Sequence, residues 1–166
     1  MMFTTFLGRR NVYVCLLTRL FIDPLQGPLV TSLQYHLARL RELADGLTYS
    51  SEGDHPFEVV HIVDNSPQRE LTTERVQVLL AMPPDVPVRR VSLERALGRH
   101  TVFTDPLDLE AGRLRPRYEA LADFLERELG GALVFRTGRP PSITVWLLGR
   151  ADNGDLVGYR TLATET

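Results

Sequence analysis

Four side chains able to move protons or hold a cation fall within seven positions: Glu52, Asp54, His55 and Glu58. Carboxylates beside an imidazole can do general acid–base chemistry, provided their pKa values are driven apart. The same charges, carried on a loop held out from a rigid frame, make an anionic surface that docks against a basic partner. They also suit a plain solvated turn. Gly53 and Pro56 argue against regular structure across Ser51 to Pro56. Spacing alone does not choose between a small hydrolase-like enzyme site, an anionic docking loop and a generic interaction surface.

Other chemistries leave no signature. The chain has no Gly-rich phosphate loop, G-x-S-x-G elbow, H-E-x-x-H or C-x-x-C. His61 lies in an apolar segment, and neither His55 nor His100 stands from it at a metal-ligand spacing. It is therefore read as a hydrogen-bonded core or edge histidine, and no catalytic residue, metal ligand or cofactor is expected. All nineteen basic residues are arginine, and twenty-one carboxylates outnumber them. Direct nucleic-acid binding is disfavoured, because holding phosphates takes a concentrated positive face. The arginines read as solvated partners of the carboxylates, each exposed pair contributing about 0 to 1 kcal/mol.

The elements around the acidic stretch must position it. At 166 residues, 43% of them apolar, the chain is sized for one folded domain. The single cysteine, Cys15, excludes an intramolecular disulfide framework. The apolar run Val12 to Leu17 lacks a cleavage site and is far too short to span a membrane. A cytoplasmic protein with no membrane partner is expected. Residues 1–29, broken by Pro24 and Gly27-Pro28, read as an N-terminal extension, disordered or upstream of a true start near Val30. Intact-mass measurement of the natively expressed protein decides the start. Residues 30–166 form the domain, with sixteen arginines against twenty carboxylates.

Thr31 to Gln34 has capping-box spacing, with Val30 placed to staple on Tyr35. Leu33, Leu37, Leu40, Ala44 and Leu47 then recur at helical spacing until Gly46 supplies a stop. Glu58 to Val63 reads as a buried strand. Thr72 or Thr73 caps a short helix through Ala81, ended by Met82-Pro83-Pro84. Val86 to Val91 is a strand that Pro87 confines to an edge or a strand start. Ser92 caps a turn of helix through Leu97, and Thr104-Asp105-Pro106 starts another around Leu107 to Glu110. Leu114, Tyr118, Leu121, Leu125 and Leu129 make a second major helix, provided Pro116 lies in its first turn. Ala132 to Arg136 and Ser142 to Leu148 read as strands. Asn153-Gly154 predicts a type I′ hairpin leading back through Leu156 to Ala163. Strands apolar on both faces, flanked by helices, predict a three-layer α/β/α sandwich around a mixed sheet.

Two stretches carry a family resemblance. Gly46 to Val59, with its Ser51-Glu52 pair before Asp54-His55-Pro56-Phe57-Glu58, resembles the helix-to-strand signature of the nuclease A inhibitor-like family. The hairpin Val145-Trp146-Leu147-Leu148-Gly149 to Leu156-Val157-Gly158, with a terminal Glu165-Thr166, is similar to that family's last strands and threonine end. His55 stands where the resemblance would put an aromatic. The resemblance implies a protein inhibitor, not an enzyme, whose partner is a sugar-non-specific nuclease of the ββα-metal type. It further implies contact with that partner through Ser51, Glu52, Asp54, Glu165 and Thr166. Glu52 would pair with a cation of the cleft, and Thr166 would reach towards the nuclease's Mg²⁺, which oxygen ligands suit.

Overall fold

The computed structural model describes residues 31–67, 70–101 and 107–166. The N-terminal extension, the Val30 staple and the cap at Thr104 to Pro106 lie outside the described residues.

Helix α1 (Ser32–Ala44) opens on the expected capping box: Thr31 Oγ1 accepts from the Gln34 amide, and Gln34 Oε1 from the Thr31 amide, each at 3.2 Å. Gly46, at φ 66°, turns the chain out of it. Strands β1 (Thr48–Ser50), β2 (Asp54–Pro56) and β3 (Glu58–Ile62) follow. Of the two candidate caps it is Thr72 that starts α2 (Thr73–Leu79), its hydroxyl accepting from the Arg75 amide at 3.3 Å. Strand β4 (Val88–Val91) begins just after Pro87 and lies at a sheet edge, as a proline without an amide requires. Ser92 caps α3 (Leu93–Thr101), which runs a turn beyond its expected end. Then come α4 (Leu109–Arg127), β5 (Leu133–Arg139), β6 (Ser142–Arg150) and β7 (Leu156–Thr164).

Helix α4 absorbs the separate turn expected at Leu107 to Glu110. Asp108 caps it, accepting from the Ala111 amide at 2.9 Å, so Pro116 lies inside the helix and not in its first turn. The proline removes the amide that would bond back to Gly112, on a face exposed to solvent where water can take the lost donor's place.

The five-stranded sheet runs β3-β7-β6-β5-β4, and every ladder in it is antiparallel. The expected mixed sheet is thereby corrected. Apolar residues on both faces report that both faces are covered, and covering says nothing about strand direction. One face carries Val134, Ile143, Val145, Leu147, Val157 and Tyr159, packed with Leu40, Leu97, Leu121 and Leu125 of α1, α3 and α4. The other carries Phe135, Leu148 and Leu156, packed with Val76 and Leu79 of α2.

Two tight spots shape the β6–β7 hairpin. Its turn is not type I′, which needs positive φ at both central residues. Here only Gly154 is positive, at φ 90°, with the Gly154 amide donating to Ala151 carbonyl at 2.8 Å. That is a β-turn followed by a bulge-forming glycine. Midway along β7, Gly158 lies so close to β6 that a Cβ there would sit 2.0 Å from the Leu147 carbonyl oxygen. Only hydrogen fits.

Candidate functional site

The acidic stretch is not an irregular loop. Thr48, Tyr49 and Ser50 pair antiparallel with Pro56, His55 and Asp54, leaving Ser51-Glu52-Gly53 as the tip of a short hairpin. Pro56 is tolerated because it is the last residue of β2, and Gly53 sits in the connection. The hairpin is anchored from below. Tyr49 and Phe57 are buried edge to face at 6.2 Å, and Phe57 meets Tyr159 at 5.6 Å. From the helices, Tyr118 Oη donates to the Thr48 carbonyl at 2.6 Å and an Arg99 nitrogen donates to the Ser50 carbonyl at 3.2 Å.

The tip is joined to the end of β7 by backbone and side chain together. The Glu52 amide donates to the Thr164 carbonyl at 3.2 Å, and the Thr164 amide donates to Ser51 Oγ at 2.9 Å. Thr166 completes the junction: its amide and its hydroxyl both donate to Glu52 Oε1, at 3.0 and 2.7 Å. These two bonds, the hydroxyl's first, hold the Glu52 carboxyl below the ordinary glutamate range although the side chain is exposed. Glu165 turns the other way, pairing with Arg136, and its amide donates to the Pro141 carbonyl at 3.0 Å.

Among the residues singled out from sequence, Glu52 and Thr166 therefore touch. Ser51 and Glu165 are engaged inside the molecule, beside them. Asp54 is exposed, with Ser50 Oγ donating to its Oδ1 at 2.5 Å. The four groups considered for acid–base chemistry do not converge. Asp54 faces a groove of about 360 Å³ with Ser50, Arg99 and His100. His55 faces a different one of about 250 Å³, where Glu58 is already paired with Arg160. Alternation along β2 sends adjacent side chains to opposite sides. Among the described residues, no three His, Cys, Asp or Glu side chains gather as a metal site requires.

The histidines likewise part company. His61 Nε2 lies 2.7 Å from Asp155 on edge strand β3, the hydrogen-bonded edge histidine that the sequence suggests. His55 Nε2 lies 3.2 Å from Thr164 Oγ1. Replacing it in His55→Gln should cost only modest stability or affinity and abolish no activity. A bell-shaped pH–rate profile of the pure protein that vanishes in this variant would instead make His55 a general acid or base. His100 stacks on Tyr118 at 4.5 Å, and its buried Nε2 has no hydrogen-bond partner among the described residues. Burial, and secondarily Arg99, push its pKa down to about 4. A depressed histidine favours the folded state only while neutral. Stability should therefore fall between about pH 6.5 and about pH 4, and urea titrations of His100→Phe should show that limb flattened.

Arg99, Arg136, Tyr118 and Thr164 support the site without having been singled out in the sequence. Only Tyr118 had a signal, its place in the helical stripe. A profile of the nuclease A inhibitor-like protein family matches residues 34–166, from the first turns of α1 through the hairpin tip to Thr166. The chain belongs to the nuclease A inhibitor-like family. No curated protein matches it. In this inhibitor-like chain both stretches that carry the resemblance, the β1–β2 hairpin and the β6–β7 hairpin, meet at the Glu52–Thr166 junction. No helix among the described residues is long and apolar enough to cross a membrane.

Proposed function

We propose that the protein is a cytoplasmic inhibitor of a sugar-non-specific nuclease of the ββα-metal type, acting through the hairpin tip and the chain end. The observation that carries this reading is the pair of hydrogen bonds from Thr166 to Glu52 Oε1. They gather the Glu52 carboxylate and the Thr166 hydroxyl on one exposed corner. A cleft built to hold a phosphodiester presents cations and a divalent metal, and an array of oxygen atoms can take the phosphate's place without offering a bond to cleave. Glu52 pairs with a cleft cation. Thr166 directs its oxygens towards the nuclease's Mg²⁺, a hard ion that accepts such ligands. Asp54 adds negative charge at the rim and steers encounter, while Ser51 and Glu165 hold the corner in shape.

The frame behind it is a three-layer sandwich, with α2 on one side of the sheet and α1, α3 and α4 on the other. Its role is rigidity, because an inhibitor whose tip is ordered before binding loses less entropy in the complex.

The test is a pull-down with residues 30–166 tagged at the N-terminus, from lysate of the source cell, with Mg²⁺ and with EDTA. The retained fraction, once eluted, should degrade both DNA and RNA, and adding back the protein should stop it. A retained fraction without nuclease activity, or turnover of a phosphoester by the pure protein alone, would overturn the proposal.

A further inference from the structure

Chain ends fray unless tied down. Thr166 can rest on Glu52 only if the two residues beyond β7 are held, and the sheet supplies the means. The β6–β7 register ends at Ser142 opposite Thr164, yet the Glu165 amide continues the ladder by donating to the Pro141 carbonyl at 3.0 Å. That backbone bond places the Glu165 side chain on the face of the sheet shared by Ile143 and Ala163. On the same face, two strands away on β5, stands Arg136, opposite Val145. Its guanidinium reaches across β6 to the Glu165 carboxylate. Arg136 is about three-quarters covered, with 24% of its side chain exposed against 42% for Glu165. It also lies near enough to Tyr49 of the hairpin for its charge to act on that phenol. The cation thus sits under the junction of β5, β7 and the β1–β2 hairpin.

We propose that Arg136 is a positioning residue, whose ion pair with Glu165 fixes the chain end so that Thr166 stays on Glu52. Glu165 then acts within the molecule and not on a partner. A guanidinium suits this task better than an ammonium would, because its planar fork fixes the direction of the carboxylate as well as its distance. Without the pair, the last two residues regain their freedom, and Glu52 loses the two donors that stabilise its ionised form.

The consequence for inhibition rests on the proposed function, but the positioning itself is measurable in the free protein. Carboxyl-carbon NMR follows the titration of Glu52 in wild type, Arg136→Gln, Glu165→Gln and the double variant. Glu52 should titrate at higher pH in either single variant, and the double variant should add nothing further, because both changes break the same contact. Arg136→Lys should restore part of the wild-type value. Thermal melts separate this from general damage: a merely structural Arg136 would lower Tm and leave the Glu52 titration where it is. Should Arg136→Gln fail to fold, Glu165→Gln, altered at the less buried end, still tests the pair. An unchanged Glu52 titration in Glu165→Gln overturns the proposal. Where wild type inhibits a nuclease, both variants should weaken inhibition at least tenfold. If wild type inhibits none, the functional reading falls, and a raised Glu52 titration still supports the role of Arg136.

Discussion

Glu52→Lys should leave the fold intact and remove most of the proposed inhibition. The side chain is exposed at a hairpin tip whose anchors, Tyr49, Phe57, Tyr118 and Arg99, lie elsewhere. Unfolding stability should therefore change by no more than about 0.5 kcal/mol. Affinity is another matter: if Glu52 pairs with a cleft cation as proposed, a lysine there replaces a desolvated pair by a repulsive one. A loss of about 2 to 5 kcal/mol is expected, which is roughly thirtyfold to several thousandfold in the inhibition constant. Glu52→Gln refines the result: the amide oxygen can still accept from Thr166, so any inhibition lost there belongs to the charge and not to the ordered terminus. Inhibition constants and melting curves measured side by side decide it. Parallel loss of both would make Glu52 a structural residue.

Asp64→Ala should do the opposite, costing stability and leaving recognition alone. Asp64 follows β3 with its side chain fully covered, held by Arg75 on one oxygen and Arg150 at 3.0 Å on the other, and by the Ser66 amide at 3.0 Å. Deleting it strands two largely covered guanidinium groups. Breaking such a pair from one side costs about 3 to 5 kcal/mol. Each arginine keeps a carbonyl acceptor, Ser66 for Arg75 and Gly154 for Arg150, which favours the lower end. For a domain of this size the melting temperature should drop by roughly 6 to 20 °C. Trp146, the only tryptophan, reports unfolding through its fluorescence. The same cluster sets the acid limit. Burial alone would raise the Asp64 pKa, but the Ser66 amide, Arg150 and Arg75 overcome it and hold the carboxyl below its usual value of 3.8. Asp155 is likewise held down, against burial, by His61, the Asp64 amide and Asn153. Depressed carboxylates contribute their stability in full above the unfolded value, and it is lost as pH falls below about 4. Asp64→Ala should blunt that acid limb. Because the cluster lies by the β6–β7 turn, at the far end of the strands from Thr164, the folded fraction should inhibit as wild type does.

Local signals made several elements legible in the sequence. The Thr31–Gln34 capping box, the Gly46 stop and the edge position after Pro87 each rest on interactions within a few residues. The sheet's directions were not legible, because Val134 and Phe135 are buried on opposite faces whichever way their neighbours run. Pro116 misled because the helix start was sought at the long apolar stripe, whereas Asp108 caps it earlier. The acidic stretch misled in the other direction: Gly53 precedes β2 and Pro56 is its last residue, so neither interrupts it. Glu52 and Thr166 were each visible through the family resemblance. Their contact was not, since it joins residues far apart in the chain through the docking of a hairpin on β7. Arg136 was invisible for the same reason, one arginine among nineteen until the sheet places it beneath Glu165.

If the hairpin tip and the Thr166 end act as one oxygen-bearing corner against a nuclease, blocking or removing that end must weaken inhibition. Three versions of the protein are assayed against one sugar-non-specific nuclease: tagged at the N-terminus, tagged at the C-terminus, and ended after Thr164. The two tagged proteins should melt alike, and the shortened one only slightly lower, because it keeps all of β7 and loses the Glu165 bond to Pro141 and its half-exposed pair with Arg136. The N-terminally tagged protein should inhibit. The other two should be weaker by well over tenfold, a difference of more than about 1.4 kcal/mol. Equal inhibition by all three would exclude Glu165 and Thr166 from recognition of the nuclease.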